Sequence, residues 1–216
     1  MGRRRTAVLI SGRGSNLQAL LDATRAPDHP AEIVRVISNR AGAFGLERAA
    51  QAGVATSVVA HRDYPDRPSF ERALQERLLA DGVELVCLAG FMRVLTPYFV
   101  DAWRDRLINI HPSLLPAFPG LDTHARALAA GVRFTGCTVH FVRTEVDLGP
   151  IIVQAAVPVL EGDDPERLAA RVLEAEHRCY PIGLRLVAGG QARIEGERVV
   201  IAGGAHPPGI TIHPDL

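Results

Sequence analysis

Ala7-Val8-Leu9-Ile10-Ser11-Gly12-Arg13-Gly14-Ser15-Asn16-Leu17 is the stretch whose reading decides the fold. A short apolar run reads as a buried strand, two glycines follow at once, and the Ser15-Asn16 pair opens a segment of helical period. Glycines let a backbone approach a ligand closely, and the free N–H groups of a helix's first turn attract an anion. The spacing is neither G-x-G-x-x-G with a later acidic ribose anchor nor a Walker loop ending in Lys-Ser/Thr, so it favours a monophosphate over a nucleotide. A tight turn with a Ser or Asn helix cap accounts for the same residues without any ligand.

Working outward, residues 33–38, 56–59 and 85–89 repeat the short strand-like run, each separated from the next by a segment of helical period. Near-continuous apolar strands with helical crossovers predict an α/β domain: a mostly parallel twisted sheet, wound right-handed, with helices on both faces. Ligands of such sheets bind beyond the carboxyl ends of the strands. The loops 11–16, 90–95 and 111–119 each follow a predicted strand end and are expected to converge. Residues 138–142 and 151–157 read as two later strands around the loop 143–150, making the sheet partly antiparallel. A long helix is expected over 165–188, with Asp164 as N-cap before Pro165.

The composition sets limits. With 216 residues, 47% of them hydrophobic, the chain can bury a full core and fits one domain, placed at 1–202, with a loosely packed tail over 203–216. Basic and acidic residues balance at 24 each, so no global field favours nucleic acid or an anionic membrane, and any phosphate must be held locally. Cys87, Cys137 and Cys179 are far apart and lie among apolar neighbours, as reduced cytosolic thiols do, and offer no zinc-site spacing. No run approaches the roughly 20 apolar residues that span a bilayer. The expectation is a cytoplasmic protein without a metal, a membrane or a nucleic-acid partner.

Asn109 and His111 stand two apart at the end of an apolar segment, so in extended chain their side chains point the same way. An amide donor stabilises an oxyanion and an imidazole moves a proton, the two tasks of acyl transfer to an amine. Asp147 sits between the late strands, where Gly149-Pro150 forces a turn; a carboxylate there orients a histidine and favours its charged form. Each of these residues alone also fits a purely structural role.

Ser11-Gly-Arg-Gly-Ser-Asn-Leu, Leu88-Ala-Gly-Phe-Met-Arg-Val-Leu, Asn109-Ile-His-Pro-Ser-Leu-Leu-Pro and Gly136-Cys-Thr-Val-His-Phe-Val through Asp147-Leu-Gly-Pro-Ile-Ile together resemble the phosphoribosylglycinamide formyltransferases, in order and over about residues 5–190. The resemblance implies a Rossmann-like formyltransferase fold and transfer of a formyl group from 10-formyltetrahydrofolate, as co-substrate, to glycinamide ribonucleotide. It implies Asn109, His111 and Asp147 as the catalytic trio. It also implies Gly14, Ser15 and Asn16 as the grip on the ribonucleotide phosphate, with Gly90 and Glu176 as further contacts to that substrate. Met92, Arg93, Val94 and Leu95 would line the folate pocket together with Asn109, and Arg67 falls where a folate-binding arginine is expected.

Arg13, Thr144 and Leu148 depart from the common family pattern. The nearest alternative is a formyltetrahydrofolate hydrolase, which uses the same trio on water and usually carries an N-terminal regulatory domain. A methionyl-tRNA formyltransferase would be expected to add a C-terminal domain and a basic surface. A non-catalytic ligand-binding module would need none of the trio. A homodimer is left open.

Overall fold

The computed structural model describes residues 2–203 and 213. The chain opens with β1 (Arg4–Ile10), α1 (Ser15–Thr24), β2 (Ala31–Ser38), α2 (Gly45–Gln51) and β3 (Ala55–Val58). It continues through α3 (Arg67–Ala80), β4 (Leu85–Leu88), α4 (Pro97–Ala102), β5 (Leu107–His111) and α5 (Thr123–Ala129). It ends with β6 (Phe134–Phe141), β7 (Ile151–Pro158), α6 (Pro165–Ala188), β8 (Ala192–Glu195) and β9 (Arg198–Ile201). Among the described residues, seven strands form one sheet in the order β3-β2-β1-β4-β5-β6-β7. The first five run parallel, and β6 and β7 join antiparallel.

The alternation along β1 explains the layering. Val8 and Ile10 face a core built with Leu17 and Leu20 of α1 and Tyr180 and Leu184 of α6, whereas Ala7 and Leu9 face Phe70, Leu74 and Leu78 of α3 and Phe99 and Trp103 near α4. Both faces of the strand are therefore dry, which is why it reads as an unbroken apolar run. Helix starts follow local chemistry: the Asp66 side chain accepts from the Ser69 N–H at the head of α3, and Asp164 accepts from Arg167 N–H, 2.8 Å away, at the head of α6. Tyr180, fully buried, directs its hydroxyl at the carbonyls of Leu88 (2.9 Å) and Ile108 (3.2 Å), tying β4 to β5 near the ends that carry the site.

β6 begins at Phe134, four residues before the start expected from sequence. Gly136 hides the pattern, yet only glycine fits: a Cβ there would lie 1.8 Å from the Ala155 carbonyl oxygen across the β6–β7 pair. The β8–β9 hairpin is a further addition that the sequence pattern did not announce. All three cysteines are buried and free. No helix among the described residues is long and apolar enough to cross a membrane. Apart from Gly203 and His213, the proposed tail over 203–216 lies outside the described residues.

Candidate active site

The strand order reverses between β1 and β4, and the loops leaving these strands flank a crevice at their carboxyl ends. Beyond them β5 brings Asn109 and His111 to the wall of a cleft of about 790 Å³, which Met92, Arg93, Val94, Leu95, His140 and Asp147 also line. In the antiparallel β5–β6 pair Asn109 stands opposite His140, and His111 opposite Thr138. The chain after His111 is pinned to β6 and β7. Thr138 Oγ1 donates to the Ser113 carbonyl (2.7 Å) and accepts from Leu115 N–H (3.0 Å), while Gln154 Nε2 donates to the Leu115 carbonyl (2.9 Å).

Asp147 arrives from the β6–β7 loop with a left-handed backbone (φ 58°), which Asp adopts at low cost. Gly149 seats that loop, since a Cβ at this position would fall 1.7 Å from the Phe141 carbonyl oxygen. One Asp147 oxygen accepts from Gly120 N–H at 2.8 Å and lies 3.3 Å from His111 Nδ1; the other lies 3.8 Å from His140 Nε2. His111 Nε2 lies 3.0 Å from the Phe118 carbonyl oxygen. Both ring nitrogens of His111 thus face acceptors, a pattern that two N–H donors satisfy. The structure brings Asn109, His111 and Asp147 together although 36 positions separate the last two. His140 completes the cluster and was absent from the sequence-based set. Its Nε2 is 3.2 Å from Asn109 Nδ2 and its Nδ1 is 2.9 Å from the Phe141 carbonyl oxygen, and burial pushes its pKa below the ordinary histidine value.

A smaller cleft of about 270 Å³ adjoins the first, lined by Arg13, Gly14, Ser15, Asn16, Arg40 and Gly90. Gly14 is the N-cap of α1 in a left-handed conformation (φ 72°), and no side chain caps that helix. The first-turn N–H groups are left for another acceptor. Gly14 also packs on α2, where its Cβ would meet Gly45 Cα at 2.7 Å. Ser11 links the two clefts: its hydroxyl donates to Asn39 Oδ1 (2.6 Å) and accepts from Met92 N–H (2.8 Å). Arg40 and Asn39, at the end of β2, are further positions that the sequence reading passed over. Arg67 stands apart, exposed at the first residue of α3 and not among the residues lining either cleft.

Asn16 Nδ2 donates to Glu176 Oε2 at 2.7 Å, while Asn16 Oδ1 is buried without a partner. Burial pushes the Glu176 carboxyl up to about 7 against the opposing effect of that hydrogen bond. The native state therefore holds the proton more tightly than the unfolded chain, whose carboxyl titrates near 4.5. Stability from this group is complete below about pH 4.5 and is lost as pH rises through about 7, by up to about 3 kcal/mol. Glu176→Gln is expected to flatten that decline, so that the variant gains Tm on the parent as pH rises across this window in thermal melts without ligand. A constant offset across the window would show that Glu176 is not the titrating group.

Among the described residues no group of three or more His, Cys, Asp or Glu side chains is arranged to hold a metal ion.

Comparison with known proteins matches residues 4–184 to the formyl transferase family. A trifunctional purine biosynthetic protein adenosine-3 from Drosophila pseudoobscura pseudoobscura is 57% identical over 193 residues, 88% of this chain but 14% of the relative. The chain spans between 14% and 19% of the length of such trifunctional relatives. A phosphoribosylglycinamide formyltransferase from Escherichia coli (strain K12) is 45% identical over 201 residues, covering 93% of this chain and 95% of that protein. The crystal structure of glycinamide ribonucleotide transformylase 1 from Symbiobacterium toebii superposes with a TM-score of 0.90 at 55% identity, over 92% of this chain and 94% of that one. The chain belongs to the formyl transferase family.

Proposed function

We propose that this chain transfers the formyl group of 10-formyltetrahydrofolate to the amine of glycinamide ribonucleotide, giving formylglycinamide ribonucleotide and tetrahydrofolate in de novo purine synthesis. The observation that carries the reading is the junction of the two clefts: Gly90 and Met92 line both, so an amine anchored by a phosphate in the smaller cleft is delivered to Asn109, His111 and Asp147 in the larger. The relatives that match this chain over nearly their whole length bear the names of that activity.

The larger cleft suits a flat, mostly apolar co-substrate. Its volume is of the size that ligand sites show, and Met92, Val94, Leu121 and Val146 expose large apolar surfaces around its mouth. The smaller cleft suits a phosphate, with the uncapped first turn of α1 and two basic residues, Arg13 and Arg40, in its lining. Asn16 lines this cleft, and its Nδ2 donates to the Glu176 carboxyl behind it.

In the reaction the amine nitrogen attacks the formyl carbon, and the carbonyl oxygen takes up the negative charge. Asn109 Nδ2 and His111 are the donors within reach of that oxyanion. His111 must exchange one of its two present partners to serve, and apo hydrogen bonds of this kind rearrange on binding. The amine then gives up a proton, the bond from the formyl carbon to the folate nitrogen breaks, and that nitrogen takes a proton as tetrahydrofolate leaves. Holding both reactants in place supplies about 7–11 kcal/mol of the lowered barrier.

The test is deacylation of 10-formyltetrahydrofolate followed with and without glycinamide ribonucleotide. Turnover is expected only with the amine present. Turnover on water alone would identify a formyltetrahydrofolate hydrolase, and no turnover under either condition a ligand-binding module.

A further inference from the structure

An asparagine amide serves an oxyanion with its nitrogen end, yet its two ends are nearly the same shape. Something must choose between them. In this site the choice is made across the β5–β6 ladder. His140 is 2% exposed, and its Nδ1 faces the Phe141 carbonyl oxygen at 2.9 Å. A carbonyl only accepts, so Nδ1 carries the proton. In the neutral ring Nε2 is then a bare acceptor, and the group facing it at 3.2 Å is Asn109 Nδ2. An amide oxygen in that place would set two lone pairs against each other. The second Nδ2 hydrogen remains for a ligand, since Asn109 lines the larger cleft.

We propose that His140, as a neutral ring protonated on Nδ1, is a positioning residue that fixes the nitrogen end of the Asn109 amide for the developing oxyanion. The proposal rests on the reading of Asn109 as an oxyanion donor. It also gives the site an acid-sensitive element: a proton on Nε2 would turn that atom into a donor, select the amide oxygen, and withdraw the nitrogen. The charged and titratable groups facing His140 are Asp147 from the β6–β7 loop, whose carboxylate favours the proton, and His111 from β5, which disfavours it; β7 offers Ile151 opposite. Burial is the largest influence and also opposes the charge.

Nitrogen-15 spectroscopy and the kinetics of three variants test this. Nitrogen-15 shifts of the imidazole in the intact protein, near neutral pH, are expected to show His140 protonated on Nδ1 and bare on Nε2. The opposite tautomer, or an imidazolium, would overturn the proposal without bearing on the overall activity. His140→Leu removes the acceptor and is expected to lower kcat about tenfold, the rate equivalent of one hydrogen bond, with ribonucleotide KM unchanged. His140→Gln restores a non-titrating acceptor, and should keep kcat within about threefold of the parent while moving the acid side of its pH profile to lower pH. Equal losses in the Leu and Gln variants with an unmoved profile would reduce His140 to packing. Asn109→Ala separates the two readings. If it is inactive while His140→Leu is fully active, the positioning role alone fails; if Asn109→Ala is fully active, both fail.

Discussion

Replacing Asp147 with asparagine is expected to cut kcat by a factor of about 10² or more while leaving the ribonucleotide KM nearly unchanged. Asparagine tolerates the left-handed backbone found at this position (φ 58°) and keeps an oxygen for the Gly120 N–H, so the loop retains its path. What disappears is the negative charge 3.3 Å from His111 Nδ1. If His111 meets the oxyanion as a charged donor, that loss falls on the transition state alone. The smaller cleft is built from the loops after β1, β2 and β4, with no residue from the Asp147 loop, so binding there should survive. Steady-state kinetics with each substrate varied in turn measures both constants. A variant with near-normal kcat would reduce Asp147 to the turn residue that its Gly149-Pro150 context also allows.

Gly14→Val is expected to raise the ribonucleotide KM by about 10², the loss of one or two charge-assisted hydrogen bonds, with the folate KM within about threefold of the parent. A β-branched residue is strained at φ 72°, and its Cβ would lie 2.7 Å from Gly45 Cα, a backbone atom that cannot swing aside. Relief comes only by shifting the first turn of α1 against α2, which displaces the N–H groups proposed to hold the phosphate. The strain should also lower stability by about 1–3 kcal/mol, so kinetics belong well below the variant's own Tm. Equal rises in both KM values would move the phosphate elsewhere.

The parallel half of the sheet was legible because stretches buried on both faces, such as residues 7–10 of β1 and all of β4, leave no polar positions to confuse the reading. Asn109 and His111 were legible for the opposite reason, as polar residues at the end of an apolar run. His140 was not, because it lies inside β6 among Cys137, Val139 and Phe141 and has the signature of a core position. Its importance comes from its cross-strand partner, and pairing register is a property of the sheet rather than of one segment. Thr138, Gln154 and Asn39 were missed on the same account: each is an ordinary polar residue until the fold supplies the groups it bonds. The strands of the β8–β9 hairpin are four residues each and half exposed, too short for alternation to rise above the background. Arg67 was named by resemblance alone, and it is exposed at the first residue of α3.

The pairing of Asn109 with His140 has a consequence for how this architecture can change over generations. Register in an antiparallel pair moves only in whole residues, and a slip of one would turn His140 to the opposite face of the sheet. The proposed catalytic arrangement is therefore indexed digitally. The segments joining the strands carry no such indexing of their own. Insertions between α5 and β6, for example, can accumulate without disturbing the chemistry as long as the ladder re-forms in the same step. Length changes are therefore expected to be tolerated in these connections and to be damaging within β5 and β6.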